Sequence, residues 1–283
     1  MIKPSISLLV SSVLISFGVS TAQEKSDRVY ASDGSGNWNI TLSAVSSNAA
    51  IEIVESEIEL PEEIESGDFE ATLRDDLTVS STIMSGSIGY RVLPFANVYA
   101  RGGFISSDTE TGVIITGTPN GPFSDFFDGP IAVDRDANRE VDGYSLGLGT
   151  NAFLPITEIW DDTLAAYGGF QYVWNRLEEN VSSEGATTSF GLLYPVSRER
   201  QNVTYRLGGS YNWISRDVEQ SLNFNGEDVR VRVTQEFETP WAVDAGVAIP
   251  LTQDTMLGLG VWHQLSGETS VLASLTYRFG IGE

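Results

Sequence analysis

The chain has 283 residues, with 39 acidic side chains against 16 basic ones and no cysteine. A formal charge of −23 argues against nucleic acid, which calls for a basic face, and against attraction to anionic lipid surfaces. The absence of cysteine excludes a disulfide framework and thiol catalysis.

Residues 1–22 read as a cleaved secretory signal peptide, with Lys3 as its positive charge, Ile6 to Val19 as its apolar stretch and Ser20-Thr21-Ala22 before the cut. The apolar stretch is shorter than the roughly 20 residues a spanning helix needs. No second run follows it, so a membrane location for the mature part, 23–283, implies strands.

Those strands are legible as period-2 alternation. Trp38, Ile40, Leu42 and Ala44 share one face. The segment 46–76 breaks the pattern: it holds eleven acids and one base, Arg74, and reads as an acidic loop or a short helical insert ended by Pro61. Alternation returns in 79–93 (Met84, Ile88, Tyr90, Val92) and 95–106 (Val98, Ala100, Phe104). A long loop, 107–141, then leads to 142–154 (Tyr144, Leu146, Leu148, Ala152, Leu154). The segments 164–174, 187–196 and 203–213 follow, then a loop at 214–236, then 241–249 and 256–265. The last segment sets Val271, Ala273, Leu275, Tyr277 and Phe279 against Leu272, Ser274, Thr276 and Arg278. Most segments are about 9–11 residues, the length of a tilted strand crossing a bilayer. Aromatics mark the ends of the apolar faces, and short connections alternate with long ones.

These features together resemble bacterial outer-membrane β-barrel proteins of the small porin-like group. The resemblance covers roughly 37–280 and is architectural. It implies an all-β fold: one antiparallel transmembrane barrel of about ten strands, with eight to twelve compatible. It also implies an outer-membrane location, contact with lipid and lipopolysaccharide, and delivery by the barrel-assembly machinery. Leu275, Tyr277 and Phe279 match the C-terminal signal read by that machinery, although Gly280-Ile281-Gly282-Glu283 follow where phenylalanine is usually last.

With the apolar faces outward, the lumen is expected to be lined by Arg91, Arg101, Arg206 and Arg278 with Asp244, Tyr99, Tyr167 and Gln171. Two arrangements fit. Either the arginines form a positive constriction favouring anions, or they pair with carboxylates (Asp244, with Glu236 or Glu238) and fill a narrow barrel.

Catalysis finds little support. The single histidine, His263, lies three residues from Ser266, an odd offset that points the two oppositely on a strand. The run Asp134 to Asp142 resembles a calcium loop, but Arg139 replaces the glycine its turn requires. No metal, cofactor or catalytic residue is assigned. The functional expectation is a porin-like passive channel or a structural barrel. The alternative is a closed barrel acting as an adhesin or receptor through its long loops, with Phe123, Phe126 and Phe127 as an aromatic patch.

Overall fold

A computed structural model describes residues 37–59, 68–73, 77–110, 112–118, 131–136, 139–160, 162–177, 181–198, 201–224 and 227–279. The signal peptide, the loop phenylalanines and the last four residues lie outside these. Fourteen strands occur among the described residues: β1 (Trp38–Glu59), β2 (Asp68–Leu73), β3 (Leu77–Leu93), β4 (Ala96–Glu110), β5 (Gly112–Thr118), β6 (Ile131–Asp136) and β7 (Arg139–Ile159) form the first half. The second half comprises β8 (Asp162–Leu177), β9 (Ser182–Arg198), β10 (Gln201–Phe224), β11 (Glu227–Phe237), β12 (Trp241–Pro250), β13 (Thr255–Gln264) and β14 (Thr269–Phe279).

Ten of them close a ring in the order β1–β3–β4–β7–β8–β9–β10–β12–β13–β14 and back to β1, all antiparallel. The first and last strands make the closure, with Trp38 opposite both Phe279 and Tyr90. Because β1 is paired on both sides there, the ring leaves no open edge at that end.

Side chains alternate strictly across this wall. On β14 Val271, Ala273, Leu275 and Tyr277 are exposed, whereas Leu272, Ser274 and Thr276 are buried. The buried set faces the inside. Four connections at one end are short, including Pro94-Phe95 and Leu251–Asp254, and both ends of the ring's chain lie there too. The opposite end carries the connections after β1, β4, β8, β10 and β13.

The wall changes strand number along its length. The β13–β14 hairpin is short and turns at Leu265–Glu268, with Gly267 at φ 120° supplying the left-handed residue. Below its tip β1 pairs with β14 as far as Ser46–Val271; above it β1 pairs instead with β11, from Ile51–Phe237 to Glu59–Arg230. Strand β11 also pairs with β10, from Arg216–Gln235 to Phe224–Glu227. Where the β1–β3 ladder ends at Ile51–Leu77 and the β1–β11 ladder begins, the pairings close as β1–β3–β4–β7–β8–β9–β10–β11, eight strands instead of ten, and beyond it β1, β11 and β10 run on as a ribbon. The step is tied by Leu265 N–H to the Trp241 carbonyl (3.0 Å) and Asn212 N–H to the Pro240 carbonyl (2.7 Å).

This tier revises several expectations. Residues 46–59 continue β1 rather than forming a loop or short helix, and 68–73 form β2. The reason is visible in Ile51-Glu52-Ile53 and Ile58: β-branched residues alternating with glutamates suit a strand, and Glu57 and Glu59 lie opposite Arg232 and Arg230. The loops 107–141 and 214–236 likewise contain β5, β6 and the β10–β11 ribbon. β2, β5 and β6 make a separate three-stranded antiparallel sheet.

The inside of the barrel is a core. Val45, Ile83, Ile105, Val141, Leu177, Val181 and Leu272 form one buried apolar cluster, with Val218 and Trp262 packed against it. Val79, Ile214 and Phe237 form another, with Ile53 against it. Both bring together strands that are not neighbours in the ring. Truncation should expose the difference between the two faces. Ile105→Ala, inside, is expected to cost about 2–5 kcal/mol in urea unfolding from detergent micelles. Phe104→Ala, outside and 78% exposed, removes more side chain yet should cost clearly less.

Candidate functional site

Below the apolar clusters the interior is polar. Arg206 on β10 makes a salt bridge to Asp244 on β12, its guanidinium carbon lying 5.3 Å from the centre of the Tyr167 ring. Tyr167, from β8, donates its hydroxyl to the Asp244 carboxylate at 3.1 and 3.3 Å. A charge removed from water is tolerated when paired and hydrogen-bonded, and here the Asp244 carboxylate takes both the Arg206 cation and the Tyr167 phenol. Tyr99 on β4 donates to Gln171 Oε1 on β8 at 3.0 Å, and Gln171 is fully buried.

Glycine makes both tyrosine reaches feasible. Tyr167 crosses β9 and β10 to meet β12, and a Cβ built on Gly208 would collide with its hydroxyl and with the Phe190 carbonyl. Tyr99 crosses β7 in the same manner, over Gly149. The many inner-face glycines are thus partly berths for rings lying flat along the wall.

Hydroxyl and amide pairs join neighbouring strands around the inside: Thr41 with Thr276 (3.0 Å), Ser43 with Ser85 (2.9 Å), Asn175 with Ser183 (3.0 Å) and Thr187 with Asn212 (2.9 Å). Arg101 is 4% exposed. At the short-turn mouth Arg91 and Arg278 also face inward and are only half-buried. Their backbone N–H groups bind the Asn37 and Asp254 carbonyls, and Asn39 donates to Asn97 close by at 3.2 Å.

The structure therefore gathers Arg206, Asp244 and Tyr167 into one cluster and Tyr99 and Gln171 into a second, leaving Arg91 and Arg278 at the mouth. Glu236 and Glu238 point outward and are not inner counter-ions. The break at Glu238–Pro240 explains this, because β11 presents odd-numbered residues inward (Gln235, Phe237) while β12 presents even ones (Ala242, Asp244).

Among the interior residues that escaped the sequence reading are Arg216, Phe237 and, packed against the apolar core, Trp262. The alternation Val229, Val231, Val233 against Arg230, Arg232 was the available signal for the β10–β11 ribbon. Arg216 borders a small void with Ser81, Ser107, Asn175, Ser183 and Phe237. The space admits about 20 Å³ of water centres, which is room for a water or two.

His263 lies on the outer face, Nδ1 being 2.9 Å from Thr269 Oγ1, and Ser266 donates to Glu268. Leu275 and Tyr277 are exposed on the outer face, and the Tyr277 and Phe279 rings stack at 6.2 Å. Asp134 and Asp136 lie on β6 and Glu140 and Asp142 on β7. Among the described residues no three acidic or histidine side chains are grouped to hold a metal.

Removing one partner of the buried pair strands the other. Asp244→Ala should cost about 3–5 kcal/mol, and Arg206→Met with Asp244→Leu together should recover much of that loss, as read by denaturant unfolding in lipid vesicles. Gly208→Val should cost about 1–3 kcal/mol by overpacking, with Tyr167→Phe as a second substitution relieving little of it.

No protein-family model matches the chain, and no curated protein matches it. Among solved structures it is similar to the outer membrane protease OmpT of Escherichia coli, at 12% identity and a TM-score of 0.44, over 87% of this chain and 97% of that one. The translocator domain of the autotransporter NalP from Neisseria meningitidis aligns at 12% identity and 0.39, over 86% and 88%. The Pseudomonas putida toluene transporter TodX aligns at 11% and 0.31, over 88% and 90%. All three are bacterial outer-membrane β-barrels. At this level of likeness the barrel's own residues, not those of its neighbours, decide what it does.

Proposed function

We propose that the protein is an outer-membrane β-barrel with a closed lumen, a rigid anchor that presents its eight-stranded upper tier and long connections outside the membrane. One observation carries this reading. Inner-face residues are the buried ones, whereas Leu207, Met84, Leu148, Leu146 and Val243 on the outer face are 52–66% exposed. An apolar belt of that extent is a liability in water and is satisfied by hydrocarbon.

Aromatics at both edges of the belt support the same placement. Trp38, Tyr90 and Tyr277 lie toward the short-turn end, and Phe104, Tyr144, Trp174 and Trp241 toward the other. These are positions where amphipathic rings meet lipid headgroups. Short turns with both ends of the ring on the inner side, and long connections on the outer, set the orientation.

Packing supports the anchor over the channel. A passive pore needs water along its axis, whereas the inner face here carries buried apolar clusters and an arginine–aspartate–tyrosine cluster that link strands across the wall. Above the belt the outer faces of β1, β10 and β11 turn charged, with Glu52 and Glu55 exposed on β1 and Glu219 paired to Arg232 at 3.5 Å. That suits strands standing in water. Presentation at the surface is thus favoured over solute passage, and the arginines act as filling rather than as an anion filter.

Planar-bilayer recording tests this: purified protein that inserts should give no steady conductance, and a reproducible open channel would overturn the closed-lumen reading. Leu148→Arg, in the middle of the belt, should cost about 2–4 kcal/mol in vesicles, whereas Ser80→Arg, outward above it, should cost little.

A further inference from the structure

We propose that the short-turn mouth is a docking site for the chain's own segment before β1, residues 29–36, with Asp33 seated on Arg91. The inference goes beyond the closed-lumen reading and is separable from it, because it concerns the mouth and not the packed interior.

Arg91 faces inward on β3, half-buried, just before the turn at Pro94-Phe95. Its backbone N–H binds the Asn37 carbonyl at 2.8 Å, so the chain enters β1 directly beside it. The described residues around it are uncharged: Asn37 and Asn39 on one side, Asn97 as its register partner on β4, and Phe95 in the turn. Asn39 already donates to Asn97 at 3.2 Å. Arg91 makes no ion pair among the described residues.

Arg278 is placed differently. It lies across β1 on β14, opposite Asn39, and its N–H binds the carbonyl of Asp254, an acid at its own end of the wall. The two arginines thus flank the start of β1 on strands two spacings apart, about 10 Å. A second cation so near raises the demand for negative charge beside Arg91.

The sequence supplies that charge within reach. Residues 29–36 read Val-Tyr-Ala-Ser-Asp-Gly-Ser-Gly. Asp33-Gly34 is a turn pair, and Gly34 and Gly36 accept the backbone angles of a reversal. Asp33 stands four residues before Asn37, a span of at most about 14 Å, whereas Arg91 is on the strand next to Asn37. A tethered carboxylate also outcompetes a free anion through its effective concentration. The reversal brings Val29 and Tyr30 to the apolar part of the mouth, where Phe153 and Met256 face inward.

The test is trypsin cleavage after Arg28 in the folded barrel, beginning at Gln23, in detergent micelles, with products read by mass spectrometry. Wild type, D33N, R91Q, R91K and the D33N/R91Q double variant are compared, each shown to be folded by heat-modifiable migration. Docking shields Arg28, so D33N and R91Q should each speed cleavage about five-fold, the double variant should cleave no faster than either, and R91K should keep most of the protection. A wild-type rate in D33N would overturn the site, including the case in which a free anion sits on Arg91. Single effects that multiply in the double variant would overturn it too, because the two residues would then act independently. Should R91Q fail to fold, D33N decides alone, since Asp33 precedes the first strand.

Discussion

Backbone hydrogen bonding without an edge is the constraint on which the structure depends. In hydrocarbon every unpaired peptide group is costly, and a closed ring of strands is one of the few solutions. Here the ring closes where β1 lies between β3 and β14. Closure also fixes the two faces: once the belt of Leu, Val and aromatic residues is outside, whatever alternates with it is committed to the interior. The ring must then stay closed where the β13–β14 hairpin ends, and β11 meets that demand by taking over the free side of β1. The narrowing from ten strands to eight follows from keeping the ladder intact above a short hairpin.

A narrower ring has less interior to fill, and the two tiers fill it differently. Within the belt, long polar side chains reach across glycines to bonded partners, so that Tyr167, Arg206 and Asp244 lock β8, β10 and β12 together. Higher up, beside and above the step, apolar side chains meet as they would in the core of a water-soluble protein. Both arrangements suit the closed lumen proposed above, and this links the packing to the proposed anchoring role.

Much of this was legible in the chain. The ten wall strands and their outward faces follow from strict alternation, because a belt in lipid and an interior of small or polar residues give every strand the same signature. Arg101, Arg206, Asp244, Tyr99, Tyr167 and Gln171 fall on the inner face by parity alone. Parity failed where the chain breaks step: the turn at Glu238–Pro240 reverses the faces of β11 relative to β12, which put Glu236 on the wrong side. The upper tier was hidden for a different reason. Its strands stand in water on the outside and carry charge there, so Ile51 to Glu59 looks like an acidic loop until Arg230 and Arg232 are placed opposite. The apolar inner clusters were unexpected because their members, such as Val45 and Leu272, are scattered singly among polar residues and meet only through the fold.

The central claim is that one face of the wall touches hydrocarbon while the other is packed dry. A chain without native cysteine allows a direct measurement: single cysteines at each position from Val271 to Tyr277, tested in vesicles with a bimane label quenched by brominated lipid and with a water-soluble maleimide. The account predicts strong lipid quenching at 271, 273, 275 and 277, and neither quenching nor maleimide reaction at 272, 274 and 276. Rapid maleimide reaction at the even positions would show a water-filled lumen, and absence of quenching at the odd ones would show that the belt does not lie in the membrane.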